Sequence, residues 1–151
     1  MSNQKRSQAI LRMPIDMVDA TLILHDGERA DVLLFIPPTE DISRLVTEGS
    51  PFVTMVRGGI EYFVARAAVA CLELPPDRAP QLDQELPIAR KNARVKLRCG
   101  TIIEGELRWI SPDGQQRTAD ALNVDVPYLV VHGAATTYLV LKAHVASVVE
   151  A

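Results

Sequence analysis

Apolar and polar residues alternate with a period of two along much of the chain. Ala93, Val95 and Leu97 alternate with Arg94, Lys96 and Arg98, the spacing of a half-buried strand. Cys99-Gly100 then reads as a tight turn, as Asp26-Gly27 does earlier, because such dipeptides suit two-residue hairpins. Ile103 to Ile110 predicts the next strand, with Gly105 at a point where a small barrel bends sharply. Pro127 to His132 and Thr137 to Leu141 predict a second hairpin around Gly133, followed by a brief turn at Ala143-His144 and a last short strand, Val145 to Val149. The segments Asp41 to Glu48 and Arg117 to Asn123 each suit a short helix before a third strand.

Compared with itself, the chain shows two similar halves. Ala20 to Gly27 aligns with Ala93 to Gly100 at an offset of 73, and Leu34 with Leu107 at the same offset. Pro51-Phe52 aligns with Pro127-Tyr128, and Tyr62 to Ala70 with Tyr138 to Ala146, at an offset of 76. The three extra residues fall around Ser111 to Gly114, a turn sequence. Between the halves, Leu74 to Pro87 carries Pro75, Pro76, Pro80 and Pro87, too many missing N–H donors for a helix or an internal strand. The expected organisation is an N-terminal arm (1–17), a first module (18–74), a Pro-rich linker (75–90) and a second module (91–151). The expected fold is all-β: two tandem five-stranded SH3-like barrels.

The run Val95, Leu97, Gly100, Ile103, Gly105, Leu107 and Ile110 resembles the first motif of the Sm/Lsm-like family, whose second strand carries a bend glycine. Lys142 to Val148 stands where that family has its second motif, and Gly27, Ala30, Val32 and Leu34 keep the first motif's spacing in the first half. The chain is also similar to small bacterial proteins of this type that carry no assigned chemistry. The resemblance implies two Sm-like barrels that assemble by pairing fourth and fifth strands. It does not extend to the family's uridine pocket, which uses an Asp and Asn after the second strand and an Arg-Gly pair before the fifth. Here those places read Ser111 to Gln116 with Lys142-Ala143, and Pro37-Pro38 with Arg66-Ala67.

Composition narrows the function classes. A 48% hydrophobic, 23% charged chain of 151 residues is that of a folded domain, and no apolar run reaches the roughly 20 residues of a membrane span. Net charge is −3, so the whole chain is not built to bind polyanions. Residues 1–17 contain no apolar core of signal-peptide length. Two cysteines, Cys71 and Cys99, are too few for a disulfide framework, and a reducing cytoplasm is the expected location.

Candidate chemistry is sparse. Neither a phosphate-binding glycine loop, a nucleophile elbow nor zinc-ligand spacing is present. Cys71 sits in an apolar strand and Cys99 in a turn, and both read as structural thiols. His25, His132 and His144 have no nominated catalytic partner, and Glu104 and Glu106 read as solvated strand residues. No enzyme activity, cofactor or metal is expected.

Two binding readings follow. The first is a non-catalytic assembly module joined to a protein partner or a second copy through barrel edges, with Tyr138, Val140, Val145 and Val148 as the contact. The second is nucleic-acid binding through Arg90, Lys91, Arg94, Lys96 and Arg98, a cluster without an acid. Trp109, alternating with Leu107, is expected in the core, leaving that cluster without an aromatic stacking partner.

Overall fold

A computed structural model describes residues 16–37, 41–111 and 117–151. The strands are β1 (Asp16–Leu24), β2 (Arg29–Ile36), β3 (Phe52–Arg57), β4 (Ile60–Ala65), β5 (Val69–Leu74), β6 (Ile88–Leu97), β7 (Ile102–Ile110), β8 (Tyr128–His132), β9 (Thr137–Leu141) and β10 (Val145–Glu150). Helix α1 (Ile42–Thr47) precedes β3 and helix α2 (Thr118–Leu122) precedes β8. Asp41 starts α1 by accepting a hydrogen bond from Ser43 N at 2.9 Å, the usual service of an acidic N-cap. The expected arm lies outside the described residues up to position 15, and β1 begins at Asp16. Residues 112–116, which include most of the expected turn, also lie outside them.

Among the described residues, all ten strands form one antiparallel sheet in the order β10-β6-β7-β8-β9-β5-β1-β2-β3-β4. This overturns the expectation of two tandem SH3-like barrels, and with it the Sm-like resemblance. The join is β5 against β9, with Cys71 opposite Val140 and Leu72 opposite Leu139. Composition explains the join. In β5, Leu72 and Leu74 enter one hydrophobic core while Ala70 and Cys71 enter the other; in β9, Leu139 and Leu141 enter the first and Val140 the second. A strand apolar on both faces needs cover on both, so it belongs in the interior of a sheet. The two cores therefore share a wall.

The expected assembly edge is corrected by the same pairing. Tyr138 and Val140 lie on β9, hydrogen-bonded to β8 on one side and β5 on the other, so no further strand can add there. Val145 and Val148 lie on β10 opposite Leu97 and Val95, and both pack against the second core. Among the described residues no barrel edge exists to mediate self-association; β10 is instead an end strand of the single sheet.

Gly105 is required by close approach. A Cβ there would lie 2.6 Å from His132 O and 2.8 Å from Val131 Cγ1, both inside contact distance and the first on backbone that cannot swing aside. Removing the side chain lets β7 and β8 meet, with Glu106 opposite His132.

Candidate anion-binding cleft

The hairpin β6–β7 pairs residues symmetrically about Cys99, with Gly100 (φ +98°) in the turn. That register sets Arg90 directly opposite Arg108. Ala93 and Val95 face the core, so residues at the alternate positions, Arg90 among them, face outward. Two arginines opposite one another on a strand pair repel. Arg108 is half-buried and donates through Nε to Glu106 Oε1 at 2.6 Å, which leaves its terminal nitrogens available. Arg90 is exposed and has no ion pair among the described residues. Nearby, Glu106 stands opposite His132.

The connection between β5 and β6 covers this face. Pro76–Arg78 form a 3-10 turn, Arg78 pairs with Asp16 at 3.0 Å, and Ala79 is buried in the first core. Gln81 donates to Ala79 O and Pro76 O, and Ser111 N donates to Pro87 O at 2.8 Å. Thus pinned, the segment forms one wall of a cleft of about 410 Å³ whose other wall is the outer face of β6, β7 and β8. Arg90, Arg108, His132, Tyr128, Gln81 and Gln84 line it with polar groups. Asp41 lines it too, with its carboxylate committed to capping α1. Burial, aided by Arg108 and Arg90, holds the His132 imidazolium below the usual histidine range, against the opposing pull of Glu106. With Glu106 committed to Arg108 and Asp41 to the helix cap, Arg90 is the cation the cleft leaves unanswered.

No family model matches the chain, and no curated protein or solved structure is significantly similar to it.

Of the basic cluster read from the sequence, the fold brings only Arg90 to this cleft. Lys91 points to the other face, opposite Leu107. Arg94 faces outward but forms a cross-strand ion pair with Glu104 at 2.7 Å, so that glutamate is paired rather than simply solvated. Lys96 is exposed further along β6, and Arg98 lies in the turn, its N–H donating to His144 O. Trp109 is buried in the second core, and Tyr128, which lines the cleft with Arg90, packs against the first core, so among the described residues the cluster has one aromatic neighbour rather than a run of stacking partners. The nucleic-acid reading therefore gains no support from the structure.

The residues at the Sm-like pocket positions serve the fold. Arg66 donates to Ser50 O at 2.7 Å and to Leu45 O, and Lys142 donates to Val124 O at 2.8 Å. Each cation ties down the loop that follows a short helix. His144 Nε2 meets Ala67 O at 2.8 Å, and His25 N donates to Ala68 O. The two thiols differ: burial drives the Cys71 thiol far upward. Cys99, whose Sγ lies 3.3 Å from Thr101 Oγ1, is lowered by that contact but lies in the hairpin turn away from the cleft lining.

A larger groove of about 640 Å³ is lined by Asp19, Asp31 and Glu73 beside Gly58 and Gly59. Two of its acids are occupied: Glu73 pairs with Arg29, and Asp31 accepts from Thr21 Oγ1. Among the described residues no group of three His, Cys, Asp or Glu side chains is arranged to hold a metal ion.

Proposed function

We propose that this protein binds a small anionic molecule in the cleft between the β5–β6 connection and the outer face of β6–β8, and performs no chemistry on it. The observation that carries the reading is the Arg90–Arg108 cross-strand pair beside His132 in a covered cleft. An anion between the two guanidiniums converts their repulsion into charge-assisted hydrogen bonds, the stronger class. Arg is suited to such forked recognition of carboxylate or phosphate. The absence of catalysis is supported by the committed partners: Glu106 is held by Arg108, and neither cysteine lines the cleft. The free thiols Cys71 and Cys99 suit a reducing cytoplasm. Among the described residues no helix is long and apolar enough to cross a membrane.

The test is an NMR titration with inorganic phosphate, reading the three histidine rings. His132 is expected to shift and to titrate at higher pH, with His25 and His144 unmoved. Arg90→Ala should weaken the effect about tenfold or more, the loss of a hydrogen bond to a charged group. A static His132, or equal shifts at all three rings, overturns the proposal.

A further inference from the structure

The anion cleft does not end at its charged walls. A second pocket of about 240 Å³ adjoins it, and the two share Leu82, Arg108, Tyr128 and Val130 as lining. Beyond that shared wall the lining is apolar: Trp109, Ile110, Ala121, Val124, Val126 and Leu129. Val124, Val126, Ile110 and Leu86 are among the large apolar side chains the chain leaves exposed, and all four border one pocket or the other. Lys142, the cation on the apolar side, already donates to Val124 O. Contiguous exposed apolar groups mark ligand grooves and other interaction sites. A concave site that is mostly apolar, with a few converging polar groups, is the common form of a small-molecule site.

Resting on the anion-binding reading, the geometry points to an amphipathic monocarboxylate as the ligand. Its head lies between Arg90 and Arg108 beside His132. Its hydrocarbon tail passes Leu82 and Val130 into the pocket of Val124, Val126 and Ile110. Charge complementarity selects the head, because Arg90 is the unanswered charge of the first cleft and Arg108 stands on the wall the two pockets share. The head and tail sites together hold a medium-length chain or a single aromatic ring with a short arm, and they are too small for a folded partner.

Calorimetric titration with octanoate, acetate and octan-1-ol tests this, using the full chain, Arg90→Ala and the surface double variant Val124→Ser/Val126→Ser. Octanoate should bind at least tenfold more tightly than acetate, since each buried methylene adds about fourfold. The double variant should bring octanoate close to acetate, while Arg90→Ala weakens both acids. Octanoate binding no more tightly than acetate, or unmoved by the valine changes, overturns the tail assignment and leaves the anion reading standing. Octan-1-ol binding as well as octanoate removes the role of the head and overturns the carboxylate assignment and the anion reading beneath it, with the tail pocket alone left standing. Circular dichroism of each variant against wild type separates lost binding from lost fold.

Discussion

Two hairpins occupy matching places in the sheet and present opposite chemistry. In β1–β2, Ala20 pairs with Val32 and, three positions along, Met17 pairs with Phe35. In β6–β7, Ala93 pairs with Gly105 and, three positions along, Arg90 pairs with Arg108. Neighbouring rows repeat the contrast, with Leu33 opposite Val56 in the first and Glu106 opposite His132 in the second. Backbone pairing tolerates either set, so the fold does not demand arginines. An apolar row costs nothing in repulsion, whereas an arginine pair is kept only at some cost. The cost falls on the hairpin covered by the β5–β6 connection, which is where an anion finds shelter from water.

The sharpest break in the comparison is at the glycine. Val32 is buried at 3% exposure in β2, yet a methyl group at Gly105 meets His132 O at 2.6 Å. Gly105→Ala is expected to destabilise the protein by about 3 kcal/mol, the upper range for overpacking, and to displace β8 with His132. Urea denaturation measures the first effect and the histidine NMR signals the second. A variant as stable as wild type would mean that β7 and β8 can separate freely.

Exchanging one row for the other comes next in size. Arg90→Met/Arg108→Phe gives the second hairpin the side chains of the first. Anion affinity should fall more than tenfold with the loss of charged donors, while stability should change by no more than about 0.5 kcal/mol, because relief of the like-charge pair is offset by loss of the Arg108–Glu106 ion pair. Calorimetry and urea melts read the two changes, and lost affinity at nearly unchanged stability distinguishes a functional row from a structural one. A drop in stability equal to the drop in affinity would assign the arginines to the fold.

The hairpin is legible in the amino-acid sequence, but its register is not. Taken as a two-residue turn, Cys99-Gly100 would set Arg90 opposite Trp109; the turn is one residue longer, with Leu97 N donating to Thr101 O, and this centres the register on Cys99 and sets Arg90 opposite Arg108. The runs Val69-Ala-Cys-Leu and Leu139-Val-Leu lack alternation, the mark of strands covered on both faces. Taken as edges, such runs imply separate barrels; taken as interior strands, they imply one sheet. The place of His132 beside the arginine row is not legible in this way. It is set by the pairing of β7 with β8, and the helix and loops between those strands carry no local signal of the register. The cover supplied by Gln81 and Leu82 is equally silent, since an irregular proline-rich segment has no periodicity to show which face it crosses.

A smaller effect follows from the depressed His132. In the free protein its charged form is disfavoured by burial, Arg108 and Arg90, with Glu106 opposing. The unfolded chain therefore takes up the proton first, and folding stability declines as pH falls below about 6.5. Anion binding runs the other way. A bound carboxylate favours imidazolium, so affinity should rise as pH falls through that range, by up to about tenfold for each unit of pKa gained. His132→Gln should flatten both trends. Affinity measured by calorimetry at several pH values checks the sign, and affinity that falls on acidification would place the anion away from His132.

The smallest expected effect concerns the remainder of the basic strand. Arg94 and Glu104 pair across β6 and β7 with side chains 56% and 63% exposed, a setting in which ion pairs contribute little. Arg94→Ala should therefore cost no more than about 0.5 kcal/mol in urea melts, and less still in high salt, where screening removes the pair's attraction. Neither Arg94 nor Lys96 lines the cleft, so Arg94→Ala/Lys96→Ala should leave octanoate affinity within about twofold of wild type at moderate ionic strength. Arg90→Ala, one outward step beyond Asn92 on the same face, should not. A uniform loss across all three arginine and lysine positions would show that the strand acts by its overall positive field, and the Arg90–Arg108 row would then hold no special place.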